Sequence, residues 1–131
     1  MKTYDVAVIG AGPGGYVAAI RAAQRGAKVM VAERKHLGGV CLNVGCIPTK
    51  TLINTANLYK RIRHAEEFGL HVDGVTLDMA RLLQRKEKVV GINTGGIEGL
   101  FKANGIDTVI GEASLPGPGR VAVNGEEYGA K

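Results

Sequence analysis

The six residues Gly10-Ala11-Gly12-Pro13-Gly14-Gly15 follow a short apolar run and open a helical pattern. No other feature limits the possible folds as much. Tyr4 to Ile9 reads as a buried strand, with Val6, Val8 and Ile9 as β-formers. Gly14 to Arg25 reads as a helix that turns Tyr16, Val17, Ala19, Ile20 and Ala23 toward a sheet, with Gly26 as its stop. Lys28 to Ala32 is a second, almost wholly apolar strand. Strand, helix and strand within about 30 residues make a βαβ unit, so the sheet is parallel and its crossover right-handed.

A G-x-G-x-x-G turn in this context suits a dinucleotide. The first glycine makes the tight turn, the second lets a pyrophosphate approach the backbone, and the third lets the helix lie close on the strand. Unpaired N–H groups at the helix start face the phosphates. Glu33, ending the second strand, is placed to accept hydrogen bonds from an adenosine ribose. Its charge disfavours a ribose 2′-phosphate, which leaves NAD or FAD. The plain alternative is a glycine-rich βα turn without a ligand.

Further along, His36 to Cys46 is glycine-rich and irregular or helix-starting. Pro48 to about Phe68 is helical by its spacing of Leu52, Ala56, Tyr59 and Ile62, and Gly69 ends it. Thr76 is the expected cap of a third helix, with Asp78 in its first turn. Leu83, Val90 and Ile97 form its stripe, extended by Leu100 and Phe101, although Gly91, Gly95, Gly96 and Gly99 weaken the second half. Two successive amphipathic helices imply an antiparallel hairpin on the βαβ unit. Gly105 to Ile110 is a third strand, Pro116 to Gly119 a turn cluster, and Asn124-Gly125 a hairpin signal after Val121 to Val123. The expected fold is therefore α/β: a Rossmann-like parallel sheet with a βαβ unit, a helical hairpin and a small antiparallel β element with nothing to close its sheet.

The net charge of +5 suits an anionic partner. The basic residues are split between Lys60, Arg61, Arg63 and His64 and, separately, Arg81, Arg85, Lys86 and Lys88. Such clusters read as solvated helix faces, so nucleic-acid binding rests on charge alone. Only 5% of residues are aromatic, which argues against a stacking platform for single strands. No apolar run is long enough to span a membrane. Lys2 and the uncharged stretch from Val6 to Ile20 mimic a signal peptide, but Asp5, the glycines and Pro13 break it. Two cysteines without an export signal point to a reducing, cytoplasmic setting.

Cys41 and Cys46 are spaced C-x4-C. Zinc would need two more ligands, and His36 is the only other candidate nearby. Two buried, inert thiols are a second alternative. A disulfide is the stronger reading, provided the helix is broken: residues five apart on an ideal helix rise about 7.5 Å and diverge by about 140°, and bridged Cα atoms must come within about 7 Å. Pro48 is expected to supply the distortion. A helix start would stabilise one thiolate, and Lys50, one turn after Cys46, adds positive charge. A redox pair beside a dinucleotide site suggests electrons passing between a cofactor and a dithiol.

The segment Gly38-Gly39-Val40-Cys41-Leu42-Asn43-Val44-Gly45-Cys46-Ile47-Pro48-Thr49-Lys50 resembles the redox segment of the pyridine nucleotide–disulphide oxidoreductases. Its C-L-N-V-G-C-I-P-T-K form is most similar to the branch that oxidises dihydrolipoamide. The opening strand, the glycine turn and Glu33 are similar to the FAD half of the same family. The resemblance implies that residues 1–131 are a partial FAD-binding domain, with NAD held by an absent domain and the dimerisation domain absent too. Gly10, Gly12, Pro13, Gly14 and Gly15 would then hold the FAD pyrophosphate. Glu33 would bind the ribose, with Arg34 and Lys35 near it, and Gly38, Gly39, Val40 and Cys41 would lie along the cofactor. Cys41 would be the interchange thiol, Cys46 the thiol against the flavin, and Lys50 the charge near flavin N5. Gly111-Glu112-Ala113 would place Glu112 and Ala113 at the adenine. The implied partners are lipoyl-bearing acyltransferases or glycine-cleavage proteins, in a homodimer. A second NAD-type glycine motif and the family's active-site His–Glu pair are not in the chain; His36, His64 and His71 do not stand in that motif. Lys131 falls just before the family's final strand, so an exposed sheet edge and a marginal, aggregation-prone chain are expected. Another disulfide substrate, as in the glutathione or mercuric reductases, and a non-catalytic nucleotide-binding module are the alternatives.

Overall fold

The computed structural model describes residues 1–131. Its chain starts with two short strands, β1 (Lys2–Tyr4) and β2 (Val6–Ile9), followed by helix α1 (Pro13–Gln24) and strand β3 (Val29–Glu33). Strand β4 (Asp107–Ile110) completes a three-stranded parallel sheet ordered β2-β3-β4. Val6 pairs with Val29, and Met30 pairs with Asp107. The expected βαβ unit is therefore present.

The single strand expected from Tyr4 to Ile9 is instead two strands in two sheets. Asp5 makes the break. Its N–H donates to the carbonyl of Lys28 at 2.9 Å, and its carboxylate accepts the Lys28 N–H at 2.9 Å. A short acidic side chain that bonds nearby backbone competes with a regular ladder. β1 then pairs parallel with β7 (Glu126–Ala130). β7 continues antiparallel to β6 (Arg120–Val123) and then to β5 (Ala113–Gly117). The small antiparallel element is thus a four-stranded mixed sheet closed by the other end of the chain. Its β6–β7 turn is Asn124-Gly125, both at positive φ, as a tight hairpin requires. The turn expected from Pro116 to Gly119 shrinks to Pro118-Gly119. Pro116 and Gly117 lie in β5, an edge strand where proline's missing donor is tolerated.

β3 explains its own composition. Val29 and Val31 point to the helices, while Met30 and Ala32 point to the mixed sheet, and all four are buried. The first core joins Ala19, Leu42, Ile97, Phe101 and Ile106 to Val29 and Val31. The second joins Tyr4, Val121 and Val123 to Met30 and Ala32. The result is three layers: helices, parallel sheet, mixed sheet.

Between β3 and β4 lie α2 (Gly39–Asn43), α3 (Cys46–Arg63), a 3-10 turn (Ala65–Phe68) and α4 (Met79–Ala103). α3 and α4 pack against each other as the expected hairpin. Asp78, not Thr76, caps α4, accepting the Arg81 N–H at 3.0 Å. Aspartate is the stronger cap, and it stands directly before the first helical residue. Only the second half of α4 reaches the sheet. Ile97 and Phe101 are buried there and Val90 is buried nearer the helix start, whereas Leu83 and Leu100, expected on the same stripe, are exposed. Leu52 and Tyr59 of α3 are likewise exposed, because the hairpin projects past the sheet. No helix is long and apolar enough to cross a membrane.

Candidate functional site

The glycine turn joins the C-terminal end of β2 to α1. Gly10 has φ +95° and donates its N–H to Ala32 O at 2.7 Å. A Cβ at Gly15 would lie 1.8 Å from Gly10 O, so only glycine lets α1 sit this close to the strand. Gly12 and Gly14 are different: a Cβ at either would meet nothing within 4 Å. The fold itself does not require glycine there. An incoming group that needs backbone approach does. Gly12 is the N-cap of α1 and Pro13 occupies its first turn, with no side-chain cap. The N–H groups of Gly12, Gly14 and Gly15 donate to no carbonyl outside the helix, and they stand at the positive end of its dipole. These residues fit a diphosphate.

Glu33 ends β3 beside the turn. One carboxylate oxygen accepts the Ala11 N–H at 2.7 Å and the other the Lys35 N–H at 2.8 Å. Burial pushes the carboxyl up, but these N–H groups, with those of His36 and Arg34, outweigh it and hold the pKa below the ordinary carboxylate value. Glu33 is therefore a brace of the turn as well as a candidate ribose acceptor. A groove of about 300 Å³ runs beside it, lined by Gly10, Glu33, Arg34, Gly111, Glu112 and Ala113. The Gly111 N–H donates to Glu33 O at 2.8 Å, which brings the predicted adenine stretch to the predicted ribose residue. Lys35 points elsewhere, lining a separate cavity with His36 and α4.

Cys41 and Cys46 are bonded as a disulfide, with Cα atoms 4.6 Å apart. The bond leaves neither sulfur free as a metal ligand or an inert thiol. The distortion that permits it is not where the sequence placed it. α2 ends at Asn43, the chain breaks at Val44 and Gly45, and Cys46 is the first residue of α3. Pro48 merely sits in the first turn of α3, where its missing N–H costs nothing. Gly45 makes the approach possible: a Cβ there would lie 3.0 Å from Val40 O and 3.3 Å from Cys41 Cα. Cys41 is half-buried against the first core, while Cys46 and Lys50 are exposed. Val40 is also exposed. The helix start at Cys46 favours a thiolate on that sulfur once the bond opens.

The disulfide segment touches the phosphate-type turn. Gly38 donates its N–H to Ala11 O at 2.8 Å, and a Cβ at Gly39 would lie 2.8 Å from Gly12 Cα. Glycine turn, acid and disulfide thus form one continuous surface at the carboxyl ends of β2 and β3, where open α/β sheets bind ligands. Ala11 and Gly45 are site residues that the sequence reading missed. Gly45, a glycine between two cysteines, carried a readable signal; Ala11 acts through its backbone and carried none.

The family model described as pyridine nucleotide-disulphide oxidoreductase matches residues 4–131. The dihydrolipoyl dehydrogenase of Geobacillus stearothermophilus is 51% identical over 93% of this chain and 26% of its own length. That of Thermus scotoductus is 50% identical over the whole chain and 28% of its own length. That of Bacillus subtilis is 55% identical over 83% of the chain and 23% of its own length. The chain spans about a quarter of the length of these curated relatives.

Proposed function

The chain belongs to the pyridine nucleotide–disulphide oxidoreductase family, and on that premise we propose that it is the FAD- and disulfide-bearing portion of a dihydrolipoyl dehydrogenase. The observation that carries this reading is the bonded Cys41–Cys46 pair lying against a glycine turn with open donors. Gly10, Gly12, Pro13, Gly14 and Gly15 hold the FAD diphosphate. Glu33 and Arg34 serve the ribose, with Lys35 at the edge of that end, and Glu112 and Ala113 serve the adenine. Gly38, Gly39, Val40 and Lys50 border the flavin. Bound FAD supplies a two-electron acceptor between the dithiol and NAD, the latter held outside residues 1–131.

The chain's own sulfurs do the exchange. One thiolate of dihydrolipoamide attacks Cys41 Sγ; the Cys41–Cys46 bond breaks and a mixed disulfide forms. Cys46 leaves as a thiolate at the start of α3. The second thiol of the substrate, losing its proton, attacks the mixed disulfide and expels Cys41. Lipoamide departs oxidised, and the protein holds the two electrons as a dithiol. Partners on this reading are lipoyl-bearing acyltransferases or glycine-cleavage proteins, met by a cytoplasmic homodimer.

The test is turnover by the full-length protein. We expect NAD reduction with dihydrolipoamide, none of comparable rate with oxidised glutathione as the disulfide substrate in the reverse sense, and loss of turnover by at least about a thousandfold in Cys41→Ser, because a serine cannot form the mixed disulfide. Full turnover in Cys41→Ser would refute the assignment of Cys41.

A further inference from the structure

Asn43 lies between the two cysteines, and its side chain has a task that neither cysteine performs. It ends α2, which is only five residues long. One turn of helix does not hold itself together, since nucleation costs more than a single hydrogen bond returns. Asn43 Nδ2 donates to Gly39 O at 2.8 Å and to Leu37 O at 3.0 Å. The amide thereby ties the end of α2 to the segment entering it. That segment is in turn fixed to the glycine turn, through the Gly38 N–H on Ala11 O and the close approach of Gly39 to Gly12. Gly38 and Gly39 both stand at positive φ, so the entry is a sharp reversal with two main-chain carbonyls turned toward Asn43.

We propose that Asn43 is a positioning residue for the redox pair: it keeps Cys41 at the same place relative to Cys46 and to the glycine turn when the disulfide is open as when it is closed. In the oxidised chain the bond itself holds α2. In the dithiol that restraint is gone, and the two Asn43 hydrogen bonds tie α2 to its entry segment beside the packing of Leu42 in the first core. Holding Cys41 in place keeps the effective concentration of the two thiols high, which favours re-formation of the bond. Without the amide, the dithiol gains freedom and the equilibrium moves toward it. The inference rests on the reading of Cys41 and Cys46 as a redox pair, but not on which dithiol reduces them.

The test is the equilibrium of the Cys41–Cys46 bond in the full-length protein against mixtures of reduced and oxidised dithiothreitol, read by alkylation and mass. We expect Asn43→Ala to favour the dithiol by about tenfold, because the disulfide form must keep α2 ordered without about one net hydrogen bond while the dithiol is free to relax; this is about 30 mV for a two-electron couple. An Asn43→Ala protein that folds with an unchanged equilibrium would overturn the proposal. Hydrogen exchange in the unaltered protein needs no variant. The N–H groups of Leu42 and Val44, bonded to Gly38 O and Val40 O, should stay protected after reduction. Free exchange of both in the dithiol would also overturn it. Absence of dihydrolipoamide turnover together with the tenfold shift in Asn43→Ala would strike the substrate reading and still support the role of Asn43.

Discussion

Gly12 and Gly15 are three residues apart in one turn, yet glycine is there for opposite reasons. At Gly15 a methyl group would run into Gly10 O. Gly15→Ala should therefore destabilise the fold by about 1–3 kcal/mol, an overpacking cost that denaturant unfolding measures. At Gly12 the space is open and φ is −71°, which any residue adopts. Gly12→Ala should change stability by less than about 0.5 kcal/mol and weaken flavin binding by about tenfold or more, since a methyl would stand on the approach proposed for the diphosphate. Equal effects of both changes on stability would remove the distinction. Glu33 offers a pH test. Its folded pKa lies below the ordinary carboxylate value, so its charge contributes stability that is complete above the unfolded pKa and is lost as pH falls through the lower, folded one. Glu33→Gln should cost about 1 kcal/mol near neutral pH, through weaker acceptance of the Ala11 and Lys35 N–H groups. The gap between the two proteins should narrow as pH falls below the ordinary carboxylate pKa and through the lower folded one.

At the scale of elements, α4 is a long helix carrying four glycines in its second half. It persists because Ile97 and Phe101 anchor its other face to the core on the sheet, with Val90 buried as well. A Cβ at Gly95 would meet nothing within 4 Å. Gly95→Ala should stabilise the chain by about 0.5–1 kcal/mol, read as a raised unfolding midpoint; a lowered midpoint would mean that the face is packed. Tyr4 joins the two sheets by donating its hydroxyl to Asp107 at 2.7 Å, and Lys2 pairs with the same carboxylate. Asp107→Asn should loosen β1 from β4 at a cost of about 1 kcal/mol. Such links decide what could be read from the sequence. The βαβ unit was legible because its strands, turn and helix are neighbours in the chain, each with its own periodicity. The split at Asp5 was not, because the partner of β1 is β7, at the far end of the chain. The bridging of Cys41 and Cys46 was legible as a possibility, but its route was not: Pro48 is a stronger breaker on paper than Gly45, yet it falls where a helix accepts proline. Leu83 and Leu100 keep the period of a buried stripe, and periodicity alone cannot tell which turns of a helix overhang the sheet.

Across the whole molecule, β3 is the common wall of two cores, and the functional surface lies at its carboxyl end. The glycine turn, Glu33, the Gly111–Ala113 stretch and the disulfide meet there, although they are contributed by residues 10 to 113. The same end of the sheet thus brings together the residues proposed for the adenosine, the diphosphate and the redox exchange. On the proposed function, the Cys41–Cys46 bond accepts electrons from a dithiol. Alkylation of the chain before and after one equivalent of dihydrolipoamide, followed by mass measurement, tests it most directly. We expect no alkyl group on the untreated chain and two, on Cys41 and Cys46, after treatment. Two groups before treatment, or none after it, would contradict the claim.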